Sequence, residues 1–294
     1  RVFSEAHPEV KAEFLRECCG FAMYALQQGA CDMGMGRRFP TQAELAAYPE
    51  LQYKVVGKAP IAVIANSNAG ITTANHTELN ETFMTGNGTI NGTTVHPVVY
   101  GCEAIEAGWA GGDIAASGEV YGTSIQGMFS LYLMSGPSAT GWIRGGAKDN
   151  TALNEAINSS THVIVGSEEE MIEEVANNAS LIGFVDYMYA VNAIEAGKNI
   201  TILGLDGLTD PNLDPETIGT ADTSNAFGGE GYVTGFGGPM FTPVMVFTNG
   251  EPNPYVQKLI DSMTMFEGVE VMHEHGFLAG EDIVISAACP FHTA

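Results

Sequence analysis

The chain has 294 residues, 45% of them hydrophobic and 16% charged, with 36 glycines. This is the make-up of a globular protein large enough to bury a substantial core in one or two domains. Lys and Arg total 11 against 35 Asp and Glu, a net charge of −24; so acidic a surface argues against nucleic acid and anionic membranes as partners. No apolar run reaches the roughly 18 residues that a membrane-spanning helix needs.

In chain order, residues 1–9 read as the body of a helix with no cap in front of it, and Val10–Cys18 as strand-like. Gly20–Gly29 is a short apolar helix closed by glycine, and Cys31–Arg38 a short buried strand running into a loop. Thr41–Tyr48 has an N-cap Thr with Glu44 three residues on, the capping-box spacing. Tyr53–Asn66 is a long apolar strand. Thr77–Gly86 is a helix, Val95–Gly101 a strand, and Gly122–Gly136 a loop entering a helix whose Met and aromatic residues fall at core spacing. Thr161–Gly166 is a strand, and the helix after it opens on Glu168–Glu174, a solvated face with acidic residues suited to a helix N-terminus. Ser180–Val191 is a strand leading into a helix, and Ile200–Gly207 a strand. A Gly-rich insert spans Leu208–Gly238. Met240–Thr248 is a strand, and Asn253–Gly276 an amphipathic helix pair in which the stretch MTMF also reads as core. This alternation predicts an α/β fold with largely parallel sheets. The last segment, Glu281–Ala294, reads as a strand, a small-residue loop and a helix start at Pro290. Joined to residues 1–10 it makes a strand–loop–helix unit, so the chain is expected to be circularly permuted or completed by strand exchange. Completion by a neighbour would make a homo-oligomer or polymer through residues 281–294.

No signal peptide is visible, so the sequence reads as that of a mature or a cytosolic chain. Two features favour export. Asn-x-Ser/Thr sequons begin at Asn75, Asn80, Asn87, Asn91, Asn158, Asn178 and Asn199, a cluster that predicts a glycosylated surface. The five cysteines, Cys18, Cys19, Cys31, Cys102 and Cys289, are an odd number, which in an exported protein means a free thiol or a bond between chains. Cys18, Cys19, Cys102 and Cys289 are the disulfide candidates; buried reduced thiols or, least favoured, thiolate metal ligands are the other readings. No metal site and no cofactor are expected. The chain has no Cys-x-x-Cys, its seven histidines lack zincin spacing, and His273-Glu274-His275 reads as an exposed helix end. No nucleophile elbow, P-loop or dinucleotide fingerprint is present, so no enzyme is predicted.

The segments QQGACDMGMGRR, PIAVIANSNAGITTANHTELNETFMTG, YGTSIQGMF, VANNASLIGFVDYMYA, ITILGLDG and PNPYVQKLIDSMTMFEGVEVMHEHGF, in their order and wording, resemble the phosphate-type (class II) substrate-binding proteins of ABC importers. The resemblance implies a two-lobed fold, with lobe one made of residues 1–65 plus 203–294 and lobe two of 66–202. It also implies a ligand site built from Ser286, Gly36, Arg37, Thr123 and Ser124. Such proteins hold a small oxyanion with helix-start amides, hydroxyls and an arginine. Here Ala287, Cys289 and Gln126 stand where donors or a base would be, which predicts no tight phosphate binding. The leading expectation is therefore an extracellular, self-assembling structural subunit of a cell surface, archaeal surfaces included; the alternative is a soluble oxyanion receptor serving an importer.

Overall fold

A computed structural model of the chain describes residues 2–11, 13, 19–37, 42–101, 103–104, 120–121, 124–135, 152–205, 241–275, 277 and 279. In chain order these hold α1 (Val2–Ala6), α2 (Cys19–Gln27), β1 (Gly34–Gly36), α3 (Gln42–Ala47), β2 (Leu51–Asn66), β3 (Thr73–Ala74), α4 (His76–Thr85), β4 (Gly88–Ile90), β5 (Thr93–Tyr100), β6 (Glu103–Ala104) and β7 (Val120–Tyr121). There follow α5 (Ser124–Ser135), α6 (Ala152–Ala156), β8 (Val163–Val165), α7 (Glu168–Asn177), β9 (Leu181–Asp186), α8 (Tyr187–Glu195), β10 (Ile200–Ile202), β11 (Gly204–Leu205), β12 (Phe241–Asn249), α9 (Pro254–Thr264) and α10 (Phe266–Glu274). The described residues form two compact units. Unit one takes those up to Lys58 and from Pro243 onward; unit two takes those from Ala59 to Thr242.

In unit one, β12 lies between β1 and β2. β1 pairs antiparallel with β12, from Gly34 opposite Phe247 to Gly36 opposite Met245. Helix α2 packs so closely on β1 that a Cβ at Gly34 would come within 3.1 Å of Leu26 Cδ1 and 3.2 Å of Ala22 Cβ. Helix α9 starts cleanly because Pro254 needs no N–H partner in the first turn and Asn253 accepts from the amides of Tyr255 and Val256. Its Val256 and Ile260 close a small core with Val56 and Val246. Met265, assigned to the core from its spacing, is instead 64% exposed: it stands at the break between α9 and α10, where the helical period is interrupted. Val10, Lys11 and Glu13 are not in a strand, contrary to the expectation for Val10–Cys18.

Unit two is built on a mixed sheet, which corrects the expectation of largely parallel pairing. β9 pairs antiparallel with β2 and parallel with β5; β5 pairs parallel with β8 and antiparallel with β4; β10 pairs antiparallel with β2. The antiparallel pair β4–β5 comes from a two-residue turn, Asn91-Gly92, in which both residues have positive φ (48° and 83°). That is the primed turn an Asn-Gly dipeptide favours. The core is aromatic: Phe129 stacks on Phe184 at 4.2 Å, Phe83 meets Phe129 edge-on at 4.9 Å, and Tyr100 meets Phe184 edge-on at 5.4 Å. These rings join α4, α5, β5 and β9, and of the expected core residues of α5, Met128, Phe129 and Tyr132 are buried. Helix α4 begins at His76, one residue earlier than its apolar pattern suggests, because Asn75 and Glu78 form a reciprocal capping box. Helix α7 lies so close to β9 that any side chain at Gly183 would collide with Met171. No described helix is long and apolar enough to cross a membrane.

Candidate functional site

Ligands of open α/β sheets sit beyond the carboxyl ends of the parallel strands, where helix N-termini point unpaired N–H groups outward. In unit two the parallel strands are β5, β8 and β9, and the helices α5, α7 and α8 start near or directly after their carboxyl ends. The start of α7 is filled by its own side chains. Ser167 Oγ accepts from the Glu170 amide at 3.2 Å, and Glu170 Oε2 accepts from the Gly166 amide at 2.7 Å. The start of α8 is likewise occupied, because Glu168 Oε1 accepts from the Asp186 amide at 3.0 Å. Carboxylates thus already stand at the positive ends of both helix dipoles. Helix α5 differs: no acidic residue lies in its first turn.

Close to that start, Gln126 is fully buried. Its Oε1 accepts from the Tyr100 amide at 2.7 Å, and its Nε2 donates to the Tyr100 carbonyl at 3.0 Å and to Asn154 Oδ1 at 2.6 Å. The side-chain amide serves the last residue of β5 as a neighbouring strand would. Gln126 stands where the resemblance puts a basic residue, and it is a structural clamp holding β5, α5 and α6 together. No sequence signal announces this, since only burial distinguishes a clamping glutamine from a solvent-facing one.

The predicted site residues fall in different units. Gly36 ends β1 in unit one, buried, with half-buried Arg37 directly after it; Ser124 is the first residue of α5 in unit two. Thr123 and Ser286 lie outside the described residues, as do Arg38 and the whole segment 281–294 on which the assembly expectation rests. The disulfide candidates Cys18, Cys102 and Cys289 also lie outside them, and of Cys19 only its backbone place at the start of α2 is described. Cys31 is a free thiol, half-buried, whose pKa is pushed up by burial and by the neighbouring Asp32 charge. Of the helix-end histidines, His275 is exposed and its Nδ1 lies 2.8 Å from the Val271 carbonyl. Among the described residues no three His, Cys, Asp or Glu are grouped to hold a metal. Lys198 is the only lysine or arginine among the described residues of unit two, and it pairs with Glu173.

No protein-family model and no curated protein matches the chain. Solved structures do. An ABC-type phosphate transport receptor from Vibrio cholerae superposes with a TM-score of 0.61 at 13% identity, over 94% of this chain and 91% of that one. A Clostridium perfringens protein described as a phosphate ABC transporter substrate-binding protein, solved with bound phosphate, gives 0.64 at 12% identity, over 95% and 92%. PstS from Borrelia burgdorferi gives 0.53 at 17% identity, over 95% and 91%. At these identities the likeness is one of fold, and it spans nearly the whole of each chain: this chain has the two-lobed, class II periplasmic-binding-protein-like α/β fold of phosphate-type substrate-binding proteins.

Proposed function

We propose that the chain is an exported solute-binding receptor for a small oxyanion of the phosphate type, which it delivers to an importer and does not transform. The observation that carries this reading is the fold shared over 94–95% of this chain with proteins named as phosphate receptors. The helix starts support it. Glu168 and Glu170 occupy two of the three helix starts near the carboxyl ends of β5, β8 and β9, and the first turn of α5 is free of acidic residues. Ser124 and Thr123 would supply hydroxyls there, and Gly36, Arg37 and Ser286 would supply the donors from the other lobe. The lobes in this reading are residues 1–65 plus 203–294, and 66–202.

Because Gln126 is spent on Tyr100 and Asn154, the site depends on neutral donors and Arg37. Each missing charge-assisted hydrogen bond costs about 1.5–3 kcal/mol, so the affinity expected for phosphate is weaker than about 1 µM. Calorimetry on the full chain with phosphate and sulfate tests this. Saturable one-to-one binding that Arg37→Met weakens at least about tenfold, the loss of one such bond, is the expected result. A folded chain that binds neither anion at about 10 mM, a ceiling well above ordinary receptor affinities, overturns the reading. The competing view, a self-assembling surface subunit completed by a neighbour's residues 281–294, rests on residues outside the described ones.

A further inference from the structure

We propose that unit two carries N-linked glycans at one end only, the end at the amino termini of β5, β8 and β9, leaving the opposite, ligand-facing end bare. All seven sequons of the chain lie in unit two, between Asn75 and Asn199, and the strand registers show where each one stands. Asn91 sits in the turn that leads into β5, Asn158 shortly before β8, and Asn178 shortly before β9. Since β5 runs parallel to both β8 and β9, these three share one end of the sheet. Asn199 immediately precedes β10, whose Ile200 lies opposite Asn66 on β2; β2 in turn is antiparallel to β9, with Ala65 opposite Ile182 near the beginning of β9. Asn199 therefore joins the same end. Asn87 follows Gly86, whose missing Cβ makes room for Thr161 and His162 just ahead of β8. Asn75 caps α4 beside this turn, because Glu78 links the two: its Oε2 accepts from the Asn75 amide and its Oε1 from the Asn91 amide. Helix α5 leaves the carboxyl end of β5 at Gln126 and ends beside Asn80, which donates to the Leu133 carbonyl.

The sites differ in whether the nitrogen that would bear the sugar is free. In Asn75, Asn87, Asn158, Asn178 and Asn199 the residue is exposed and Nδ2 donates to nothing among the described residues. Asn158 and Asn178 share one further feature. In both, Oδ1 accepts from the amide and the hydroxyl of the sequon serine, Ser160 or Ser180, at 2.8–3.0 Å. The carboxamide is held by its oxygen and the nitrogen is left for the glycosidic bond. Asn80 is half-buried, and its Nδ2 donates to the Leu133 carbonyl at 2.7 Å; a sugar there would have to enter the contact between α4 and α5. Asn91 Nδ2 donates to the carbonyl and hydroxyl oxygens of Thr73. Water-rich glycans at this end fit an exported chain, so the inference rests on the exported location proposed above.

The test is to secrete the full chain from a host that glycosylates Asn-x-Ser/Thr, isolate the folded monomeric fraction, release glycans enzymatically in heavy-oxygen water and map the marked asparagines by peptide mass spectrometry. Marking of most of Asn75, Asn87, Asn158, Asn178 and Asn199 with Asn80 unmarked is the expected pattern. Each single Asn→Gln change at those five should then remove one glycan mass without loss of secretion. No marking at the five, or majority marking of Asn80 in the folded fraction, overturns the proposal. A secreted, unglycosylated chain that still binds phosphate would remove this inference and leave the receptor reading intact.

Discussion

The two ends of unit two solve the same physical problem with opposite chemistry. At the carboxyl ends of β5 and β9 and the start of α7, the polar groups are tied into the fold: Gln126 is buried against Tyr100, and Glu168 and Glu170 satisfy main-chain amides that would otherwise be unpaired. At the amino ends the polar groups are largely exposed, rich in Asn, Ser and Thr, and many are bonded only to their own turns. A preorganised end suits recognition, because its geometry costs nothing to assemble when a ligand arrives. Apart from buried Asn66 and His162, which bridge to α7 and α4 there, the exposed, turn-rich surface of this end suits modification and change.

The comparison is broken hardest by Gln126→Ala. This change removes the buried side-chain partner of the Tyr100 N–H and C=O and of Asn154, so a loss of about 2–4 kcal/mol in unfolding free energy is expected, read as a lower denaturant midpoint at unchanged slope. Ser167→Ala removes the cap of α7 at the same end and should cost about 1 kcal/mol by the same measurement. The smallest effect belongs to the amino end. Lys198→Met breaks the surface pair with Glu173, where both side chains are well exposed to water; a change of about 0–0.5 kcal/mol, vanishing in high salt, is expected. If Lys198→Met proves as damaging as Gln126→Ala, the contrast between a tied and an untied end does not hold.

Much of unit two was legible from residue pattern. The apolar run of β2, the helix stop at Gly86, the acidic start of α7 and the core spacing of α5 each have a local cause that the residues carry with them. The mixed pairing of the sheet is not legible in this way, because strand–helix alternation says nothing about the direction in which strands far apart in sequence will pair. β2 meets β9 across more than a hundred residues, antiparallel, and no local signal encodes that choice. Met265 keeps a helical spacing but stands at the break between α9 and α10, so its spacing alone does not report its exposure. The Asn91-Gly92 turn has its cause in the dipeptide itself.

The candidate site divides in the same way. Gly36, Arg37 and Ser124 could be named from segment order, and so could every sequon, since both rest on short contiguous patterns. Burial had to come from the fold. Gln126 looks like a lost cation in sequence and is a backbone clamp in space; Asn66 looks like an unremarkable strand end and donates to the Val175 and Ala176 carbonyls that close α7. Seven sequons along a chain imply a sugar-bearing surface, but only the strand registers put them at one end and show which nitrogen is already used. Local sequence determined elements, caps and modification motifs because those depend on neighbours a few residues away. Tertiary structure decided strand direction, the role of each buried amide and the separation of the two ends, because those depend on which distant segments exclude water together.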